Sequence, residues 1–341
     1  MAAPSGTMRA VQYDRYGGGA QGLKLVEVPI PSPKKGEVLI RMEATSINQV
    51  DWKFQKGVAR PVMPRKFPLI SVVIVSDQIQ LGNMLLAVAG FDLAGEVVQL
   101  GSGVSNFKPG DKVIALNFPN GGGLAEYAVA SASLTVPRPP EVSAAEGACL
   151  PIAEVTALRA LETVGISLDP ARGDNAARKN VLVTAASGGV GHYAVQLAKL
   201  AGQSVTVTCG ERNAGLVRGL GADEVLDYKT PEGAALQSPS GRRYDAVVHC
   251  ATGVPWSVFR PVLAPTPPAA RSSTSRPGLI RLVPLIMSPK KEDIALVAGM
   301  VKQGRLKTVI DSRDRLSRAR EGWAKSMEGH ATGKVARLSW K

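Results

Sequence analysis

Residues 181–202, VLVTAASGGVGHYAVQLAKLAG, hold the most chemically specific pattern in the chain. A buried-type strand ends at Ala185. The small residues Ser187, Gly188, Gly189, Val190 and Gly191 follow, and an amphipathic helix begins. Ala185, Gly188 and Gly191 stand in an A-x-x-G-x-x-G spacing. Small side chains let backbone amides close on a pyrophosphate, and the helix N-terminus favours its charge. The same residues without a ligand would form a tight strand–helix turn. The strand–turn–helix setting favours the dinucleotide.

Residues at the end of the next strand bear on which dinucleotide it is. An NAD site usually places Asp or Glu there to accept from the ribose 2′-hydroxyl. Here the strand SVTVTC (204–209) ends in Cys209-Gly210, with Glu211, Arg212 and Asn213 behind. An uncharged strand end with Arg212 close by favours a 2′-phosphate, hence NADPH. Glu211 keeps NAD as the minority reading.

These residues need a frame to hold them. Strands VLVTA (181–185), SVTVTC, EVLDY (224–228) and DAVVHC (245–250), with helical stretches at 190–201 and 213–220, have the rhythm of a doubly wound parallel sheet. The first 130 or so residues read differently. MRAVQY (8–13), LKLVEV (23–28) and EVLIRM (37–42) alternate like strands. EVVQLG, DKVIAL and LAEYAVA continue a β-rich domain broken by Pro and Gly. No internal repeat is visible.

A chain of 341 residues suits two domains. No apolar run is long enough to predict a membrane-spanning helix. Cys149, Cys209 and Cys250 lack metal or disulfide spacing, which suits a reducing compartment. The start, MAAPSGTMRAVQYDRYG, does not read as a cleaved targeting peptide. Net charge is +13, and residues 301–341 carry eleven Lys or Arg against four Asp or Glu. Such a surface suits anionic lipid, nucleic acid or phosphorylated ligands, or is simply solvated.

The turn AASGGVGHYAVQLAK, the segment TSINQVDWKFQKG, GFDLAGEVVQLG and GADEVLDY together resemble the zinc-independent medium-chain dehydrogenase/reductases, nearest the quinone-oxidoreductase-like proteins of the plant chloroplast envelope. WAKSMEGHATGK and LKTVIDS support the likeness. The resemblance implies an α/β chain in which a GroES-like β-rich catalytic domain accompanies a Rossmann domain. The expected division is 1–140 for the first part of the GroES-like domain, 141–278 for the Rossmann domain and 279–341 for a return to the catalytic domain. It further implies NADPH and hydride transfer to the C=C bond of α,β-unsaturated carbonyls or to quinones. The expected location is peripheral to the inner chloroplast envelope, with the cytoplasm as alternative.

Zinc-dependent relatives need Cys and His ligands. His192, His249 and His330 do not cluster suitably with cysteine, so no metal is expected. The family places active-site contacts at positions matching Asn48, Asp51 and Lys53. Asn48 would donate to the developing enolate, Lys53 would contact cofactor or substrate oxygen, and Asp51 would orient it. The plainer alternative is a polar loop in which Asn48 or Asp51 is a helix N-cap. Tyr228 and Thr252 match positions lining the cofactor cleft, or are ordinary polar residues at strand ends. Trp52, Trp256 and Trp323 read as packing residues and Cys149 as core filler. SRAREGWAKSMEG shows only a weak apolar stripe for an anionic membrane.

Three stretches depart from the family pattern. Residues 71–89 are inserted between KFPLI and GFDLAGEV. They read as retained intron sequence, or as an extra strand and helical turn. Residues 264–278, APTPPAARSSTSRPG, stand where the fifth strand of the parallel sheet is expected, and Pro and Ser cannot replace it. PAARSSTSRPG can be encoded so that dropping two bases yields GGKVVDITPG, the strand expected there, which points to a shifted reading frame. The strand would then be missing or improvised from LIRLVPLI (279–286), leaving the nicotinamide end of the site and dimerisation in doubt. Finally, VARLSWK lacks the apolar strand expected after GHATGK.

An NADPH-dependent enone or quinone reductase is the leading reading. The alternatives are a catalytically impaired NADPH binder and a basic RNA-binding relative, against which the lack of an aromatic-rich basic patch counts.

Overall fold

Strand periodicity in the first hundred residues produces antiparallel ladders. A computed structural model of the chain describes residues 4, 6–58, 73–75, 78–80, 90–168, 178–265 and 289–340. The chain divides into two compact units, residues 1–152 with 289–341 and residues 153–288.

In the first unit, β1 (Thr7–Gln12) pairs antiparallel with β2 (Lys24–Pro29). A seven-stranded sheet follows, built from β3 (Glu37–Ile47), β6 (Asp92–Leu100), β7 (Lys112–Leu116), β8 (Tyr127–Ser131), β9 (Thr135–Pro137), β14 (Ile310–Arg315) and β15 (Lys334–Leu338). Its order is β14-β15-β3-β6-β7-β9, with β8 also on β3. Helices α1 (Gln49–Lys56), α2 (Ala144–Gly147), α8 (Lys291–Lys302) and α9 (Ala319–Glu328) accompany it. Alternation sends Val38, Ile40, Met42, Leu93, Val97, Val113 and Ala115 into one core cluster. Each large side chain buried there contributes about 1.5–3 kcal/mol.

The tail does form a strand, which corrects the expectation drawn from VARLSWK. Ala336 pairs with Ser46 of β3 and with Arg313 of β14. Backbone pairing on both sides compensates for a sequence poor in large apolar residues. Arg337 is 1% exposed; its guanidinium lies 3.3 Å from Asp314 and packs where Gly322 of α9 has no side chain. A Cβ on Gly322 would fall 1.9 Å from Arg337 Nη2. The buried face of α9 (Ala319, Gly322, Trp323, Ser326) is already covered by this core. Trp323 is fully buried, and its Nε1 donates to Gln55 Oε1 at 3.1 Å.

Within the insertion 71–89, only β4 (Val73–Val75) and β5 (Gln78–Gln80) are described, as a short antiparallel pair. The remainder lies outside the described residues. So do residues 266–288, including nearly all of the Pro/Ser-rich segment and LIRLVPLI.

The second unit has four parallel strands: β10 (Asn180–Val183), β11 (Ser204–Cys209), β12 (Glu224–Asp227) and β13 (Ala246–Val248), ordered β12-β11-β10-β13. Val181, Leu182, Val183, Val205 and Val207 are completely buried, as strands covered on both faces require. α4 (Gly191–Leu200) and α5 (Ala214–Gly219) connect them in sequence, with short α6 (Pro231–Ala234) and α7 (Trp256–Phe259). A longer helix, α3 (Pro151–Thr163), precedes the first of these strands.

Candidate functional site

The glycine-rich turn leaves β10 through Thr184 and Ala185. Ala185 adopts a left-handed conformation, φ 48°, which residues other than Gly and Asn seldom take. Its N–H donates to Thr208 Oγ1 at 3.1 Å, and Ala186 N–H to Thr208 O at 2.9 Å. The chain thus swings over the end of β11. At Gly191, a Cβ would lie 2.3 Å from Ala185 O and 2.7 Å from Ala186 Cα, closer than any side chain permits. Only glycine lets α4 begin this close to β10. The first amides of a helix have no intrahelical acceptor. Ser187, Gly188, Gly189 and Val190 keep partial exposure in front of it. This cradle fits a dinucleotide pyrophosphate.

Asn213 Nδ2 donates to Ser187 Oγ at 3.0 Å, tying the turn to the segment after β11. Cys209 ends that strand at 2% exposure, and burial pushes its thiol up to about 11. Arg212 is exposed in the one-turn helix Glu211–Asn213. Tyr228, 47% exposed, places its ring 3.6 Å from where a Gly210 side chain would begin. Turn, Arg212, Asn213 and Tyr228 therefore gather at the carboxyl ends of β10, β11 and β12. Thr252 is exposed in the loop after β13. Trp256, read as packing, is 40% exposed on four-residue α7.

A second constellation lies in the other unit. Asn48 is the N-cap of α1, and its backbone N–H donates to Asp51 Oδ2 at 2.7 Å. Asp51 Oδ1 accepts from Gly90 N–H at 3.0 Å. Asp51 thus secures two backbone amides, and this corrects its expected role of orienting Lys53. Lys53 Nζ instead meets Gln49 Oε1 at 3.3 Å and lies 5.6 Å from the Trp52 ring centroid. Asp51 is 1% exposed. Burial raises its pKa to about 7, helped by the nearby Asp92 charge and opposed by the two amides and Lys334.

The Asn48 side chain points into a buried polar network. Its Nδ2 donates to Asp92 Oδ2 at 2.8 Å and more weakly to Ser46 Oγ at 3.4 Å, while its Oδ1 accepts from Lys334 Nζ. Both amide hydrogens are committed, so in this arrangement Asn48 holds the network rather than presenting a donor outward. Asp92 also accepts from Ser46 Oγ at 2.6 Å and Ile152 N–H at 2.9 Å, with Lys334 Nζ 3.6 Å away. Asp92 and Lys334 are 0% and 2% exposed, a buried ion pair whose carboxylate accepts hydrogen bonds on both oxygens. Sequence reasoning missed both, although each stands inside a quoted motif. The available signal was a charged residue at an inward position of an apolar strand.

Cys149 is fully buried, and burial pushes its thiol up to about 12. Zinc requires three or four clustered donors. Among the described residues no three His, Cys, Asp or Glu side chains come together in that way.

Residues 34–140 match the alcohol dehydrogenase GroES-like domain, and residues 220–336 match the family described as zinc-binding dehydrogenase. A chloroplastic quinone-oxidoreductase of Triphysaria versicolor is 56% identical over 96% of this chain and 97% of its own. A chloroplast envelope quinone oxidoreductase homolog of Arabidopsis thaliana is 54% identical over the same shares. The solved quinone oxidoreductase from Coxiella burnetii superposes with a TM-score of 0.76 at 28% identity, over 98% of this chain and 99% of that one.

Proposed function

The chain belongs to the quinone-oxidoreductase-like medium-chain dehydrogenase/reductases, and on that premise we propose that it reduces quinones or α,β-unsaturated carbonyls with NADPH. The observation that carries the reading is the Gly191 cradle, where nothing larger than hydrogen fits against Ala185 O.

The choice of NADPH over NADH rests on the end of β11. No carboxylate stands at Cys209 to accept from a ribose 2′-hydroxyl, and Arg212 follows three residues on. A guanidinium fits the 2′-phosphate by charge and by its forked donors. Asn213, bonded to Ser187, keeps that segment against the turn.

Bound reduced nicotinamide supplies the hydride. A quinone is itself a doubly conjugated enone, so both substrate classes gather negative charge on a carbonyl oxygen as hydride arrives. A donor aimed at that oxygen lowers the barrier. Lys53 is assigned this contact, because its ammonium keeps donors beyond the single bond to Gln49. Asn48, Asp51, Asp92 and Lys334 are assigned a positioning role, holding the start of α1 against β6 and β15. Thr252 remains a proposed cofactor contact by its place after β13.

The relatives' names support a chloroplast location, and this reading adds peripheral contact with the envelope. The buried face of α9 is taken up by the core, so charge supplies the membrane affinity. Flotation with anionic liposomes that is lost in modest salt would support this part; flotation unaffected by salt would oppose it.

Consumption of NADPH with a small quinone and a small enone tests the activity. Binding without turnover would favour an impaired binder. That alternative draws on residues 264–278, nearly all of which lie outside the described residues.

A further inference from the structure

At the carboxyl end of β13, His249 is bonded through Nδ1 to Thr184 Oγ1 at 2.8 Å. Thr184 follows β10, the neighbouring strand. Strands β10, β11 and β12 are laid down in one direction, and β13 returns to the other side of β10. Doubly wound sheets hold ligands outside the carboxyl ends of their strands at this kind of switch point. The Thr184–His249 hydrogen bond spans it.

Hydrogen-bond partners favour one imidazole tautomer. Thr184 Oγ1 accepts from Cys250 N–H at 2.9 Å, and its hydroxyl, in a residue only 1% exposed, has His249 Nδ1 at 2.8 Å as its one acceptor among the described residues. The ring proton therefore sits on Nε2. Partial burial lowers the histidine pKa by disfavouring the charged ring. Phe259, 4% exposed, meets the ring edge-on at 4.9 Å and 68°. The imidazole is thus held on two sides. Its Nε2–H, on the ring edge away from Thr184, finds no acceptor among the described residues, and the residue is exposed.

The ends of β10, β11 and β12, with the glycine-rich turn, Arg212 and Tyr228, provide for the adenosine half and the pyrophosphate. β13 opens the second mononucleotide half of the fold. We propose that His249 is a cofactor-binding residue whose Nε2–H donates to an oxygen of the nicotinamide half of the dinucleotide. The proposal rests on the dinucleotide reading above. It adds a residue that neither the glycine pattern nor the strand-end residues indicate.

The test compares two ligands, NADPH and adenosine 2′,5′-bisphosphate, which lacks the nicotinamide half. In His249→Phe the ring and its contact with Phe259 remain while the donor is lost. NADPH should bind about fivefold more weakly, the worth of one net hydrogen bond. Binding of adenosine 2′,5′-bisphosphate should not change. His249→Gln, whose amide reaches near the same point, should restore much of the loss. If His249→Phe does not fold, Thr184→Val, which releases the tautomer, should weaken NADPH alone, and Thr184→Ser should restore it. Unchanged NADPH affinity, or equal weakening of both ligands, overturns the proposal while leaving the dinucleotide reading intact. Failure of the unmodified protein to bind either ligand overturns both.

Discussion

Asn48 Nδ2 and Asp92 Oδ2 lie 2.8 Å apart across a sequence separation of 44 residues, and Lys334 closes the same network from the far end of the chain. β3 brings them together by pairing with β6 on one side and β15 on the other. Asp92→Asn leaves Lys334 buried without its counter-ion and should cost about 3–5 kcal/mol. Urea unfolding measures it. Asp92→Asn with Lys334→Met removes the unpaired ammonium while an amide oxygen still accepts from the neighbouring donors, and should recover part of the loss; a double variant as weak as the single one would contradict the ion-pair account.

Asp51 makes stability depend on pH. Its carboxyl titrates at about 7 in the folded chain against a reference of 3.8, so the folded state binds the extra proton between these values. That contribution is fully present below about 3.8 and is lost as pH rises towards 7. The slope reaches at most about 1.4 kcal/mol per pH unit. The stability difference between the unmodified protein and Asp51→Asn should move against the unmodified protein as pH rises through this window. Parallel pH curves for the two proteins would refute it.

Gly191→Ala places a methyl group against a backbone oxygen that has no room to retreat. Overpacking of this kind costs roughly 1–3 kcal/mol. If the strain is relieved by opening the turn, NADPH affinity should fall by about tenfold or more. Fluorescence titration reads the loss, with circular dichroism to establish that the fold survives. Gly189→Ala provides a comparison within the same turn.

Arg212→Ala should lower the preference for NADPH over NADH by about tenfold, towards the low end for charge-assisted bonds because Arg212 is exposed. The ratio of kcat/KM values for the two cofactors measures it. An unchanged ratio would move 2′-phosphate recognition away from Arg212.

Local signals carried the second unit well. Strand ends, the turn and the start of α4 are set by short-range patterns, so VLVTAASGGVG was legible without tertiary information. Asp92 and Lys334 were not, because their meaning depends on strands far apart in sequence becoming neighbours. Read along the chain, GFDLAGEV is one more alternating strand. The tail misled for a related reason: Arg337 looks like a surface residue until Gly322 and Asp314 give its guanidinium a place to lie. Thr184 and His249 are polar residues at two strand ends, and only the return of β13 beside β10 joins them.

The central claim is that the chain binds NADPH and passes hydride to a quinone or an enone. Absorbance at 340 nm, followed with purified full-length protein, NADPH and a small quinone, tests it most directly. The account predicts loss of absorbance that saturates in both substrates and is slower with NADH. Tight NADPH binding with no oxidation by any quinone or enone would contradict it.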